Sequence, residues 1–337
     1  MSTDLRPPDT SDRDGGAQRG QPLLRILRQP VVLAAGVAVL LFVVGQLVAP
    51  GFASYGSVMN TLRVAAFLGV IAAGQTIVIL AGGEGIDLSV GKVATLAAIV
   101  VAQVTGGSDE RLWFGIVAAL VACAVIGMLN GIGVAYLRIP PLVMTLGMIG
   151  VVEGVIRLYS GGQPEGRAAP GLAGIVNART FGGIRGSVWL WLAVGVLVVV
   201  LLRRTTFGRR IYALGANRDA AYFSAVNVRP NLVAVYTTSS LFAAVGGIML
   251  LGYSGTVSIS LADGYMLPSI AAVVIGGTTL AGGVGGYAGT AIGAVVLQTL
   301  NSLLTALRME PAGRQVVNGV ILIVLLSLYG RQRRLRS

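Results

Sequence analysis

Long apolar runs cut by short polar ones dominate the chain. The runs fall at about 31–48, 58–80, 88–104, 113–137, 142–159, 187–202 and 232–253, with two more inside 266–304 and a last at 315–329. Each is close to the ~20 apolar residues that cross a bilayer. The pattern predicts an all-α fold, a polytopic transmembrane helical bundle of about ten spans. The third, eighth and ninth segments are dense in glycine and are expected to include broken or re-entrant pieces, which survive when buried in protein or lining water. The division that follows is a disordered basic tail at 1–30, a transmembrane domain at 31–330 and a second basic tail at 331–337.

The longest internal polar interval, 203–231, carries Arg203, Arg204, Arg209, Arg210, Arg218 and Arg229. Basic residues beside a span resist translocation, so such clusters mark the cytoplasmic side. With an even number of spans, both tails and this loop share one side, and their three arginine clusters agree on a cytosolic placement. The interval also carries the signature of a short helix from about Asn217 to Ser224. Asn217 is a good N-cap, Asp219 sits where the helix dipole favours an anion, and Ala220 and Ala221 follow with high helix propensity. Two readings stand. Either this helix presents a small-residue face to another protein, or the interval is a solvated basic loop that only fixes topology.

Composition supports the membrane reading. Residues are 55% hydrophobic and 11% charged, against roughly a quarter charged in soluble domains, so lipid must cover much of the surface. The formal charge of +12 does not indicate nucleic acid, because the arginines sit in tails and loops and form no stripe with aromatics. It fits topology and attraction to anionic headgroups. Histidine is absent and Cys123 is the single cysteine, which excludes a disulfide framework, a Cys/His metal cluster and Ser-His or Cys-His nucleophiles. No phosphate-binding loop exists: Gly91-Lys92 is followed by Val93, with Ile86 where the first glycine belongs. No catalytic residue, metal ligand or cofactor is expected.

Polar residues inside the apolar runs are the remaining candidates. The stretch 81–91, AGGEGIDLSVG, separates two spans. It reads either as an ordinary polar loop or as an unwound segment near a translocation path, with Asp87 or Ser89 capping the next span. Gln75, Asp87, Ser89, Asn130 and Thr145 are the candidates for that path, though each can equally bond a neighbouring helix. Glu153 and Arg157 are four apart, on one helix face, and can pair. Leu80-Ala81-Gly82-Gly83 recurs as Leu280-Ala281-Gly282-Gly283, either a trace of internal duplication or a coincidence of composition.

Several segments resemble one family. They are GGEGIDLSVG at 82–91, GMLNG at 127–131, RIPPLVMTLGMIGVVEG at 138–154, YSGGQP at 159–164, TTFGRRIYALGANRDAA at 205–221 and IAAVVIGGTTLAGGVGGYAGTAIGA at 270–294. The chain is similar to the permease subunits of bacterial ABC importers for monosaccharides, of the ribose/xylose/galactose type, which are related to branched-chain amino-acid permeases. The resemblance implies a bacterial inner-membrane protein that acts by alternating access. It implies as partners cytoplasmic ATP-binding subunits, an extracytoplasmic sugar-binding protein and a second permease copy. It also places a coupling helix in the 203–231 loop, with Gly208, Gly215, Asn217, Arg218, Asp219, Ala220 and Ala221 as the ATPase-docking residues. Two departures stand out. Ala225 occupies a position usually held by glycine, after Ser224. Met266 and Pro268 stand where an acidic residue and its neighbour are common.

Overall fold

The computed structural model describes residues 30–334; of the expected tails at 1–30 and 331–337, residues 1–29 and 335–337 lie outside the described residues, while 331–334 continue the last helix, which ends at Arg334 and not at the expected domain boundary of 330. The chain opens with α1, Pro30–Val48, and α2, Tyr55–Leu80, the latter started by the Ser54 hydroxyl accepting the Ser57 amide. A stretch of turns then leads to α3, Val90–Thr105, which stops at Gly106 in left-handed backbone. α4, Leu112–Ala135, and α5, Pro141–Tyr159, follow, and a short α6, Pro170–Asn177, caps one end. α7, Gly186–Arg204, leads into two short helices, α8, Thr206–Ala216, and α9, Arg218–Phe223. α10, Val228–Ser254, is succeeded by α11, Met266–Ile275, α12, Tyr287–Ala306, and α13, Pro311–Arg334. Among the described residues there is no β-strand, only the isolated bridges Arg167–Thr256 and Arg179–Arg185.

Every expected apolar run is a helix, and α1, α2, α4, α5, α7, α10 and α12 are long and apolar enough to cross a membrane. The two short ones explain themselves by length. At ~1.5 Å per residue, the ten residues of α11 reach about half of a ~30 Å hydrocarbon core, and the sixteen of α3 stop short of it. The third and eighth runs are therefore helices completed by non-helical chain. The ninth is not broken: α12 is continuous through Gly289 and Gly293. A Cβ on either would meet the backbone of Gly276 or Ala272, so these glycines serve close packing.

α10 is the central helix, packed chiefly against α4, α2 and α3. It can be approached closely because Gly127 and Gly131 lie one turn apart on α4; a Cβ on either would strike the backbone of Tyr236 or Val233. Small residues so spaced are the usual contact of membrane helices. The inner helices α2, α3 and α10 bury Phe67, Ile71, Ile99 and Leu251. The outer helices expose theirs: Leu40 and Leu47 on α1, Val117 and Val121 on α4, Leu146 and Leu158 on α5, Val196 and Leu197 on α7. Such apolar faces are what a bilayer or a second subunit covers.

Candidate functional site

The turn-rich stretch between α2 and α3 reaches the surface at Gly83 and Glu84 and is buried at Gly85, Asp87 and Ser89, and its polar residues organise the interior. Asp87 is fully buried. Its Oδ1 accepts from the Ser89 amide at 3.0 Å and the Ser89 hydroxyl at 2.6 Å, and its Oδ2 accepts from the Ser239 hydroxyl of α10 at 2.9 Å. Asn130 of α4 donates to the Ser89 hydroxyl at 3.0 Å, and the Thr145 hydroxyl of α5 lies 3.3 Å from the Ile86 carbonyl. One side chain thus holds Ser89, the residue just before α3, and ties it to α10, while α4 and α5 hold the flanking chain; the expected cap does not form, since no side-chain hydrogen bond caps the start of α3.

Asp87, Ser89 and Asn130 are brought together as one network, and Thr145 braces its backbone. Gln75 is buried on α2 with both amide atoms lacking a hydrogen-bond partner, as do Asn130 Oδ1, Tyr236 Oη and Ser240 Oγ. All five expected path residues are inside the fold and fully covered, so within one chain they face neighbouring helices rather than an open passage. Ser239 was not foreseen, and its signal was the polar run Thr237-Thr238-Ser239-Ser240 inside an apolar span. Farther along α3, Lys92 pairs with Asp263 at 2.9 Å and Glu153 at 3.6 Å, and the expected Glu153–Arg157 pair forms at 2.7 Å.

At the end of the bundle that carries the arginine-rich interval, α8 and α9 form a folded knob. α8 was not expected. The Thr205 hydroxyl accepts the Gly208 amide to start it, and Phe207, Ile211 and Leu214 fall on its inner face while Arg209 and Arg210 are exposed. Tyr212 donates to the Gly285 carbonyl at 2.9 Å, and partial burial pushes its phenol above the usual range. α9 starts as expected, with Asn217 Oδ1 accepting the amides of Asp219 and Ala220 at 2.9 and 3.0 Å. It ends where the Val226 amide bonds the Ala221 carbonyl and the Ala225 amide the Tyr222 carbonyl, both at 3.0 Å. In this Schellman ending the residue at C′ takes left-handed backbone. Ala225 does so at φ 60°, at a cost of about 1 kcal/mol relative to glycine.

The expected docking residues divide. Asp219 and Ala220 are exposed, and Asn217 sits at the surface as the cap. Ala221 is 3% exposed and packs inward, and Gly208 is buried against the carbonyls of Leu201 and Leu202. The small-residue face therefore does not project Ala221; that expectation is corrected, because in a six-residue helix a single turn decides which alanine points out. What projects instead is an aromatic pair, Tyr222 at 66% and Phe223 at 85% exposed, packed edge to face at 5.8 Å.

Gly215 and Arg218 attach this knob to the bundle. The Gly283 amide donates to the Leu80 carbonyl at 3.0 Å, and Gly82, Gly83, Gly282 and Gly283 all have φ between 64° and 90°. The two Leu-Ala-Gly-Gly turns thus share a conformation and touch. Gly215 fits against both: a Cβ there would run into the Leu80 carbonyl and the Gly283 amide. Arg218 donates to the Gly82 carbonyl at 3.2 Å. Any displacement of α9 consequently bears on the turn that leads into the Asp87 network.

Among the described residues, seven helices long and apolar enough to cross a membrane, two shorter apolar ones and a folded polar knob define a multi-pass helical membrane protein. Residues 57–326 match the family described as branched-chain amino acid transport system, permease component, and the chain belongs to that family. It is 34% identical over 294 residues to the ribose import permease protein of Escherichia coli (strain K12), covering 85% of this chain and 89% of that one. The ribose import permease protein of Bacillus subtilis (strain 168) is 34% identical over 295 residues, covering 86% and 89%. The galactose/methyl galactoside import permease protein of Escherichia coli (strain K12) is 33% identical over 297 residues, covering 83% and 88%. No solved structure matches the chain.

Proposed function

We propose that the chain is the membrane permease subunit of an ATP-driven bacterial importer that takes a monosaccharide from an extracytoplasmic binding protein. The observation that carries this reading is the similarity, over more than four-fifths of the chain, to import permeases named for ribose and galactose. The permease works in the cell (inner) membrane with a second copy of itself and with cytoplasmic ATP-binding subunits, which carry out all the hydrolysis. Both tails and the 203–231 loop face the cytosol, as their arginine clusters favour. α9 then docks in the ATPase, with Tyr222 and Phe223 as its anchor and Asp219 and Ala220 beside them. ATP binding shifts α9, Gly215 and Arg218 carry the shift to the glycine turns, and alternating access follows. The Asp87 network holds the unwound segment through the cycle. Its unpartnered neighbours, Gln75 foremost, support a core that exchanges partners between states, since an unsatisfied buried polar group costs about 1–3 kcal/mol.

The family description favours a second reading, import of a branched-chain amino acid. Uptake separates the readings. Proteoliposomes holding the permease, its ATPase and its loaded binding protein are expected to accumulate labelled monosaccharide only with ATP, and vanadate should stop them. Accumulation of leucine but not sugar would establish the second reading. Uptake driven by an ion gradient without ATP would overturn both.

A further inference from the structure

A cavity of about 750 Å³ opens at the same end of the bundle, between the α4–α5 connection and the α9–α10 connection. That volume is in the range of ligand sites. Three of its lining side chains are guanidiniums, Arg138, Arg218 and Arg229, and among the described residues no acidic side chain lines it. The ion pairs among the described residues include none of the three. The Nε of Arg218 is buried without a hydrogen-bond partner. Arg138 holds left-handed backbone at φ 57°, where glycine or asparagine would be less strained; strain retained by a long cation points to work for its side chain. The N-termini of α5 and α10, at Pro141 and Val228, also line the cavity, and neither has a side-chain cap. Their positive ends reinforce the arginines.

We infer that this cavity binds a phosphate group, and that its source is the headgroup of an anionic lipid. Planar guanidiniums suit phosphate oxygens bidentately. The lipid source follows from what adjoins the site. Exposed Leu137 in the α4–α5 connection and Leu142, Val143 and Leu146 on α5 continue from the cavity mouth, where acyl chains can lie. Tyr136, beneath the Arg229 guanidinium at 5.6 Å, is an aromatic of the kind found at headgroup level. The leaflet is the cytoplasmic one, which rests on the proposed topology; the site itself does not.

The test uses the full chain, purified in detergent and analysed by native mass spectrometry after addition of phosphatidylglycerol or phosphatidylcholine. Wild type is expected to retain phosphatidylglycerol selectively. Each lost basic residue weakens such binding roughly fivefold, so R138Q/R229Q should lose selective retention by about 25-fold. R203Q/R204Q, which removes exposed arginines outside the cavity, should keep it. Loss in both double variants alike would mean diffuse attraction to a basic surface and would overturn the site. Retention by R138Q/R229Q at the wild-type level would do the same. If wild type keeps no lipid but inorganic phosphate raises its thermal stability, and R138Q/R229Q abolishes that rise, the phosphate site stands and the lipid source is wrong. Binding measured in detergent is independent of topology, so a reversed orientation would move the site to the outer leaflet without altering these outcomes.

Discussion

The double variant Tyr222→Ala/Phe223→Ala is expected to insert and fold like wild type while losing its ATPase. Both side chains are largely exposed and pack on each other, with Tyr222 also at the rim of the cavity, so their removal takes little from the fold. Exposed aromatics outside a bilayer are costly unless a partner covers them, and aromatic anchors at interfaces commonly carry 2 kcal/mol or more each. Together the two account for about 4 kcal/mol, roughly a thousandfold in affinity. Co-purification of the ATPase with the variant permease should fail, and substrate-stimulated ATP turnover should fall to the unstimulated rate. Wild-type association and turnover would show that the pair is not the anchor. Ala221→Trp is the poorer probe, because Ala221 is packed within the chain and the larger ring would disturb the knob itself.

Asp87→Ala acts on folding instead. It strips the acceptor from the Ser89 amide, the Ser89 hydroxyl and the Ser239 hydroxyl at once, all fully buried. Each donor left unsatisfied costs about 1–3 kcal/mol, so the sum is comparable with the ~5–15 kcal/mol stability of a typical domain. The variant should give little folded protein, with a lowered melting temperature in whatever is recovered. Asp87→Asn keeps the acceptor toward one side and should recover part of the yield. Full yield, unchanged melting and unchanged uptake in Asp87→Ala would remove the network from the account.

The sequence and the structure agree most where the signal is local. Ten apolar runs became ten helices because each run satisfies its own backbone and differs sharply from its flanks. Asn217 could be placed as a cap because capping involves residues two and three positions away. The break before α3 was legible from its glycines, although composition alone could not separate a loop from an unwound core segment. α8 was obscured by its charge: Phe207, Ile211 and Leu214 have the spacing of a helix face, but six arginines give the interval the composition of a solvated topology signal. Ser239 was hidden for a different reason, since its partner Asp87 lies 152 residues away and no local pattern encodes the pairing. The Leu-Ala-Gly-Gly turns illustrate both limits. Their repetition was visible, but only the fold brings the two into contact around Gly215.

Sidedness of the α8–α9 knob tests the central claim most directly, since a helix that couples to a cytosolic ATPase must face the cytosol. Ala216 is exposed at the junction of α8 and α9. Cys123 is buried, with its thiol toward the Val93 carbonyl, so Cys123→Ser gives a background without other thiols. In that background Ala216→Cys should resist an impermeant maleimide added to intact cells. It should label readily in inside-out vesicles, and bound ATPase should protect it there. Strong labelling from outside intact cells would contradict the account.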